Sequence, residues 1–194
     1  MKKIKQFIIA LVTLGAIHQA NATLIVNFEE VGADVVITFS GSINTTDLAS
    51  GGGGSGGDWI NIRPTSSYIA SSGAVPYVGW SGVTFNGILG NGSDLFERTP
   101  AVGDRVGIDE MNTQLITYQG YQSGTAINST MTFSNTNMET LDINPDFTVT
   151  WGTGANADSA IVTGVVPEPV TAGLLGISAL VLYGIRRIKN FNRA

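Results

Sequence analysis

The sequence has no cysteine and a single histidine, His18. Between Thr23 and Val166 it has no lysine either. That stretch sets fourteen carboxylates against three arginines, Arg63, Arg98 and Arg105, for a net charge of −11. Each absence removes a chemistry. Without cysteine there is no disulfide, no thiolate nucleophile and no thiolate-bound metal. Without histidine or lysine, the plentiful serines and threonines lack the usual base that would activate them. Imidazole-bound zinc is excluded for the same reason, and carboxylates alone make a poor transition-metal site. An acidic surface with three cations repels phosphates, so nucleic acid is not an expected partner. Glu and Leu are scarce as well, while Gly, Ser, Thr and Asn abound. Weak helix formers and frequent turn formers favour an all-β domain.

Seven of the ten cations sit at the two ends: Lys2, Lys3, Lys5, Arg186, Arg187, Lys189 and Arg193. Residues 1–22 have the pattern of a secretory signal peptide. A basic start, Met1-Lys2-Lys3-Ile4-Lys5, precedes an apolar run from Phe7 to Ile17. That run is about half the ~20 residues of a spanning helix. Ala20 and Ala22 supply the small residues of the cleavage site, which puts the cut before Thr23. Sec export and signal peptidase are the implied partners. At the other end, Val170–Ile185 is apolar or small and ends in Arg186-Arg187. Sixteen helical residues cover about 24 Å, a short span whose flanking Tyr, Arg and Lys extend its reach. Basic residues stay on the cytoplasmic side, which leaves the acidic domain outside.

Pro167-Glu168-Pro169, the helix 170–185 and Arg186-Arg187 together resemble the PEP-CTERM sorting signal of Gram-negative bacteria. The resemblance implies processing near the motif by an exosortase, a membrane-embedded cysteine transpeptidase. It also implies transient anchoring in the inner membrane, then release to the cell surface or an exopolysaccharide matrix. The organisation expected is a signal peptide (1–22), an ectodomain (23–166) and a sorting segment (167–194). The ectodomain is similar to a group of PEP-CTERM ectodomains of unresolved function. That likeness rests on Phe39-Ser40-Gly41-Ser42-Ile43, Gly103-Asp104-Arg105-Val106-Gly107-Ile108 and Val149-Thr150-Trp151-Gly152-Thr153-Gly154. It carries over no site residues.

Within 23–166 apolar and polar residues alternate with period two. Leu24, Val26 and Phe28 share a face, as do Val35, Ile37 and Phe39. Ile60 with Ile62, Val106 with Ile108, Ile127 with Met131 and Phe133, and Phe147 with Val149 and Trp151 repeat the pattern. Ile161, Thr163 and Val165 close it. Eight to ten short strands are expected in an antiparallel β-sandwich or jelly-roll-like fold. Gly51–Gly57 lacks the Lys and following helix of a phosphate loop, so a flexible connection is expected there.

Few constellations point to chemistry. Asp142, Asn144 and Asp146 space three oxygens as a Ca²⁺ loop does, but Phe147 and Thr153 stand where an EF-hand needs Gly and Glu. No cofactor is expected, with Ca²⁺ as the one weak candidate. Asp104, Asp109 and Glu110 form a second acidic group. Glu97, Glu110 and Glu139 are the carboxylates that glycoside hydrolysis would need in pairs. Aromatic rings suit the C–H faces of sugars, and Trp59, Tyr68, Tyr77, Trp80, Tyr118 and Tyr121 are available. Trp59 and Trp80 are the first candidates, while Trp151 belongs to the core. The expectation is a non-catalytic envelope or matrix protein that binds or structures exopolysaccharide. A glycan-active enzyme using paired carboxylates and a Ca²⁺-stabilised adhesion module are the alternatives. The charge of −11 predicts a ligand that is neutral or bridged by divalent cations.

Overall fold

The computed structural model describes residues 22–55, 60–71, 76–97 and 101–165. Ala20, Trp59, Pro167, Glu168, Pro169, the 170–185 span, Arg186 and Arg187 lie outside these residues. Among the described residues no helix is long and apolar enough to cross a membrane. The chain divides after Gly164 into two units, and both sheets belong to the first.

Fourteen strands follow one another among the described residues. They are β1 (Thr23–Val31), β2 (Asp34–Gly41), β3 (Ala49–Gly54), β4 (Ile60–Arg63), β5 (Tyr68–Ala70), β6 (Tyr77–Ser81) and β7 (Thr84–Asn86). Then come β8 (Leu95–Glu97), β9 (Val102–Gly103), β10 (Val106–Asp109), β11 (Gln114–Tyr118), β12 (Ile127–Phe133), β13 (Phe147–Trp151) and β14 (Asp158–Val165). One helical turn, α1 (Met138–Leu141), precedes β13. Sheet A has the order β7-β13-β14-β1-β2-β12-β9, and sheet B the order β3-β6-β11-β10-β5-β4-β8. The fold is all-β, and the two sheets enclose one core.

The long strands of sheet A follow from period two. Leu24, Val26 and Phe28 of β1 and Val35, Ile37 and Phe39 of β2 are all buried. A two-residue loop joins them, with Val31 opposite Asp34. Its Gly32 has φ +68, the positive angle that such tight hairpin turns require. Ile127, Met131 and Phe133 continue the layer in β12, and Phe147, Val149 and Trp151 in β13. Sheet B answers with Ile60, Ile62, Ile69, Val106, Ile108 and Leu115 in the same cluster.

Three expectations are corrected. Gly51–Gly54 is no loop but part of β3, paired with β6 through an irregular register. Glycine is needed there because a Cβ on Gly53 would strike the Tyr77 carbonyl. In β14 the inward residues are Ala160 and Val162, and Ile161 is 42% exposed. The reason is register: Val162 lies opposite Phe147 and Ala160 opposite Val149, and cross-strand partners share a face. The strands are also more numerous than expected, because those of two to four residues are too short to show a period.

A polar clamp locks the exit of β2. The Tyr121 hydroxyl accepts the Ile43 N–H at 2.8 Å and donates to the Thr125 carbonyl at 2.8 Å. Beside it Asp158 accepts the Asn44 N–H at 2.7 Å, and the Trp151 indole donates to the Asn44 carbonyl at 2.8 Å. Burial pushes the Asp158 carboxyl above its usual pKa, and the N–H donors of Asn44 and Ser159 pull it back. Tyr121→Phe leaves the buried Ile43 N–H without its acceptor. It is expected to cost about 1–3 kcal/mol in urea unfolding, with an unchanged m-value.

Candidate functional site: a trough on sheet B

Residues opposite one another on neighbouring strands share a face, so register resolves the outer face of sheet B into rows. One row crosses six strands: Phe96, Asn61, Ala70, Gly107, Ile116 and Gly79. Two residues along, Arg63, Tyr68, Asp109, Gln114 and Ser81 make a second row. On the other side Tyr77 lies opposite Tyr118 and Gly54. The Tyr118 N–H donates to the Arg105 carbonyl at 3.0 Å and brings Arg105 alongside.

The centre of the middle row is small, and its neighbours carry long side chains. The result is a trough of about 310 Å³. Asn61, Ala70, Ile116 and Phe96 line it from the middle row, Arg63 and Tyr68 from one flank, Tyr77 and Arg105 from the other. Successive rows are about 7 Å apart along a strand, so the flanks stand about 13 Å apart at the backbone. The glycines are structural necessities. A Cβ on Gly107 would lie 2.7 Å from the Ile69 carbonyl oxygen and 3.0 Å from the Ala70 Cβ. A Cβ on Gly54 would lie 2.5 Å from Cε1 of Tyr77, so glycine gives that ring its place.

Each flank pairs an arginine with a tyrosine. The Arg63 guanidinium lies 5.3 Å from the Tyr68 ring centroid, and Arg105 lies 4.4 Å from that of Tyr77. A cation over a ring face is held by the negative charge of the π cloud. Arg105 is only 4% exposed. Burial lowers the pKa of its guanidinium, and Tyr68 and Tyr77 oppose that shift. The Tyr68 phenol is pushed up to about 12, first by burial and then by Asp109, with Arg63 acting against both. Asn61 is 5% exposed, and its side-chain oxygen has no hydrogen-bond partner. Among the described residues no carboxylate lines the trough. A second hollow of about 500 Å³ adjoins it, sharing Arg105 and bounded by Pro76, Gly103, Asp104 and Tyr118.

The sequence candidates scatter around this feature. Tyr68 and Tyr77 are in it. Trp80 is half-buried against the core, and its indole N–H donates to Thr117 Oγ1 at 2.8 Å. Tyr118 and Tyr121 meet edge to face with centroids 5.6 Å apart. Glu97 accepts the Ser134 N–H at 3.0 Å, Glu110 sits in the turn between β10 and β11, and Glu139 lies in α1. Asp142 ends α1 in a left-handed conformation, and Asp142, Asn144 and Asp146 are exposed. Asp104 accepts the Asn128 N–H, whereas Asp109 holds Asn112 and Gln114. Among the described residues no group of three acidic or imidazole side chains could hold a metal ion.

Arg63, Arg105, Asn61 and Phe96 are not among the sequence candidates. Their signal is faint: glycine and alanine in strand interiors, which mark close approach by another group.

The raised Tyr68 pKa has a definite sign. The unfolded phenol ionises near 10 and the folded one near 12. Stability from this group is complete below pH 10 and falls as pH rises toward 12. Wild type should therefore lose stability relative to Tyr68→Phe across that window, and an ultraviolet difference titration should lose one late-ionising tyrosine in the variant. No family model, no curated protein and no solved structure matches this chain.

Proposed function

We propose that this chain is an exported, non-catalytic envelope or matrix protein whose β-domain binds glycan in the sheet B trough. The observation that carries the reading is the lining of that trough. Aromatic rings and arginines converge there with an unpaired amide oxygen, and among the described residues no carboxylate lines it. Ring faces attract the weakly positive C–H groups of a sugar, while arginine and amide groups exchange hydrogen bonds with its oxygens. A volume of about 310 Å³ is at the small end of ligand sites, which suits one sugar unit of a longer polymer.

The route to the ligand is read from the ends of the chain. The signal peptide directs Sec export, and cleavage after Ala22 leaves Thr23 as the first residue. The apolar 170–185 segment holds the protein in the inner membrane until an exosortase acts near Pro167-Glu168-Pro169. The domain then reaches the cell surface or the surrounding polysaccharide.

Two measurements test the two halves. Deleting Pro167-Glu168-Pro169 should leave the full-length precursor in the membrane fraction, seen as a larger band on immunoblots; normal maturation would refute the sorting assignment. Purified full-length chain should bind a subset of glycans on an array, and Tyr77→Ala should weaken that binding severalfold. Binding to no glycan at all would refute the ligand class.

A further inference from the structure

The hollow of about 500 Å³ beside the trough is larger than the trough itself, and a single docked sugar leaves it unused. Register explains why the two adjoin. Tyr118 lies opposite Tyr77 in the β6–β11 pair, and its N–H reaches the Arg105 carbonyl. The three make one row across the outer face of sheet B. Tyr77 lines the trough, Tyr118 the hollow, and Arg105 both. At 4% exposure Arg105 does not stand up as a barrier between them; its guanidinium is tucked against the Tyr77 ring, 4.4 Å from the centroid.

The far wall is pinned by hydrogen bonds. The Gln119 N–H donates to the Pro76 carbonyl at 2.9 Å, and the Tyr121 N–H to the Tyr118 carbonyl at 3.2 Å. Gly103 belongs to β9, which pairs with β12, and Asp104 accepts the Asn128 N–H at 2.8 Å. The hollow is therefore formed before a ligand arrives, as ligand sites usually are. It is also within reach of one. Pro76, Gly103, Gln119 and Gly120 are exposed, and Tyr118 and Asp104 are half-buried. A Cβ on Gly120 would meet nothing within 4 Å, so no neighbouring group covers that wall.

We propose that trough and hollow are adjoining subsites of one site, which takes a run of several units of a neutral polysaccharide. The inference rests on the glycan reading of the trough and extends it. The hollow has a lining of the same character. The Tyr118 and Pro76 rings offer apolar faces, and the Gln119 amide offers both a donor and an acceptor. Asp104 decides the charge of the ligand, because a carboxylate accepts from sugar hydroxyls and repels an acidic sugar at contact. Two joined subsites favour a chain that fills both, since the second contact forms at high effective concentration.

The test uses full-length chain in detergent and two neutral ladders, cello- and xylo-oligosaccharides from monomer to hexamer. An oligogalacturonate ladder is the acidic comparison. Ligand-observed NMR follows the weak short members and calorimetry the longer ones. In a neutral ladder the trimer should bind about a hundredfold more tightly than the monomer, the lower end of what joined sites give. A single-unit site would gain only the statistical factor from the number of units. Tyr118→Leu keeps bulk beside Tyr121 and removes the ring face, so it should narrow the trimer-to-monomer ratio. Gln119→Ala, at an exposed position, should narrow it too. Unchanged melting curves would separate these effects from damage to the fold. A ratio at the statistical factor overturns the inference and leaves the glycan reading of the trough standing. A steep ratio that neither variant narrows places the extra contacts elsewhere and overturns it as well. An acidic ladder that binds as tightly as the neutral ones overturns the neutral ligand. If no ladder binds, the inference falls, and the glycan array shows whether the glycan reading falls with it.

Discussion

One apolar layer, shared by two sheets, is the constraint to which the rest of the domain answers. No cysteine staples the sheets, so burial alone must hold them together. Phe28, Phe39 and Phe133 are fully buried, with Ile37, Ile62, Ile108 and Leu115 among their neighbours in the cluster. Each such side chain contributes about 1.5–3 kcal/mol when removed from water, against about 1–2 kcal/mol of backbone entropy for every residue ordered. The margin is narrow. The β1–β2–β12 run supplies nine of the buried apolar side chains from three adjacent strands. The polar clamp at Ile43 and Asn44 then fixes where the chain leaves that run.

With the inner faces committed to one another, the outer faces are left to differ. Sheet A turns Thr38, Ser40, Thr130, Thr132 and Thr150 outward, and an open hollow of about 350 Å³ lies along β7, β13 and β14 beside Asn86, Thr148, Ile161 and Thr163. Sheet B is buried on both faces at its centre, since Val106 to Asp109 and Leu115 to Thr117 are all shielded. The long flanking side chains provide part of that cover, and the small floor residues leave space under them. The same glycines that let β3, β6 and β10 pack closely therefore create the trough.

That difference also governs how much is legible in the sequence. In β1, β2, β12 and β13 one face meets the core and the other meets water, so alternation is plain and marks the inward residues. In β10 and β11 both faces are buried, so the central alternation fades. β14 misleads because Ile161 is the largest apolar residue of its strand and yet faces outward, the partner strand having set the register. The trough is least legible. Its lining comes from five strands and the residue before a sixth, spread from Asn61 to Ile116. Only the pairing of β4 with β8 and of β10 with β5 brings Phe96 and Arg105 near Tyr68 and Tyr77. Composition reveals that cations are rare; it holds no information on their convergence.

The borders of the two sheets share a property. Among the described residues sheet A stops at β7, of three residues, and at β9, of two, while sheet B stops at β8, of three, and at the irregular glycine-rich β3. An open border is a row of unsatisfied peptide groups, ready to template another copy of the same chain. Three of these borders are too brief to seed a ladder, and the fourth is broken in register. A chain so rich in strand could otherwise polymerise side by side into fibrils. Its described margins offer another copy no long, regular border to pair with.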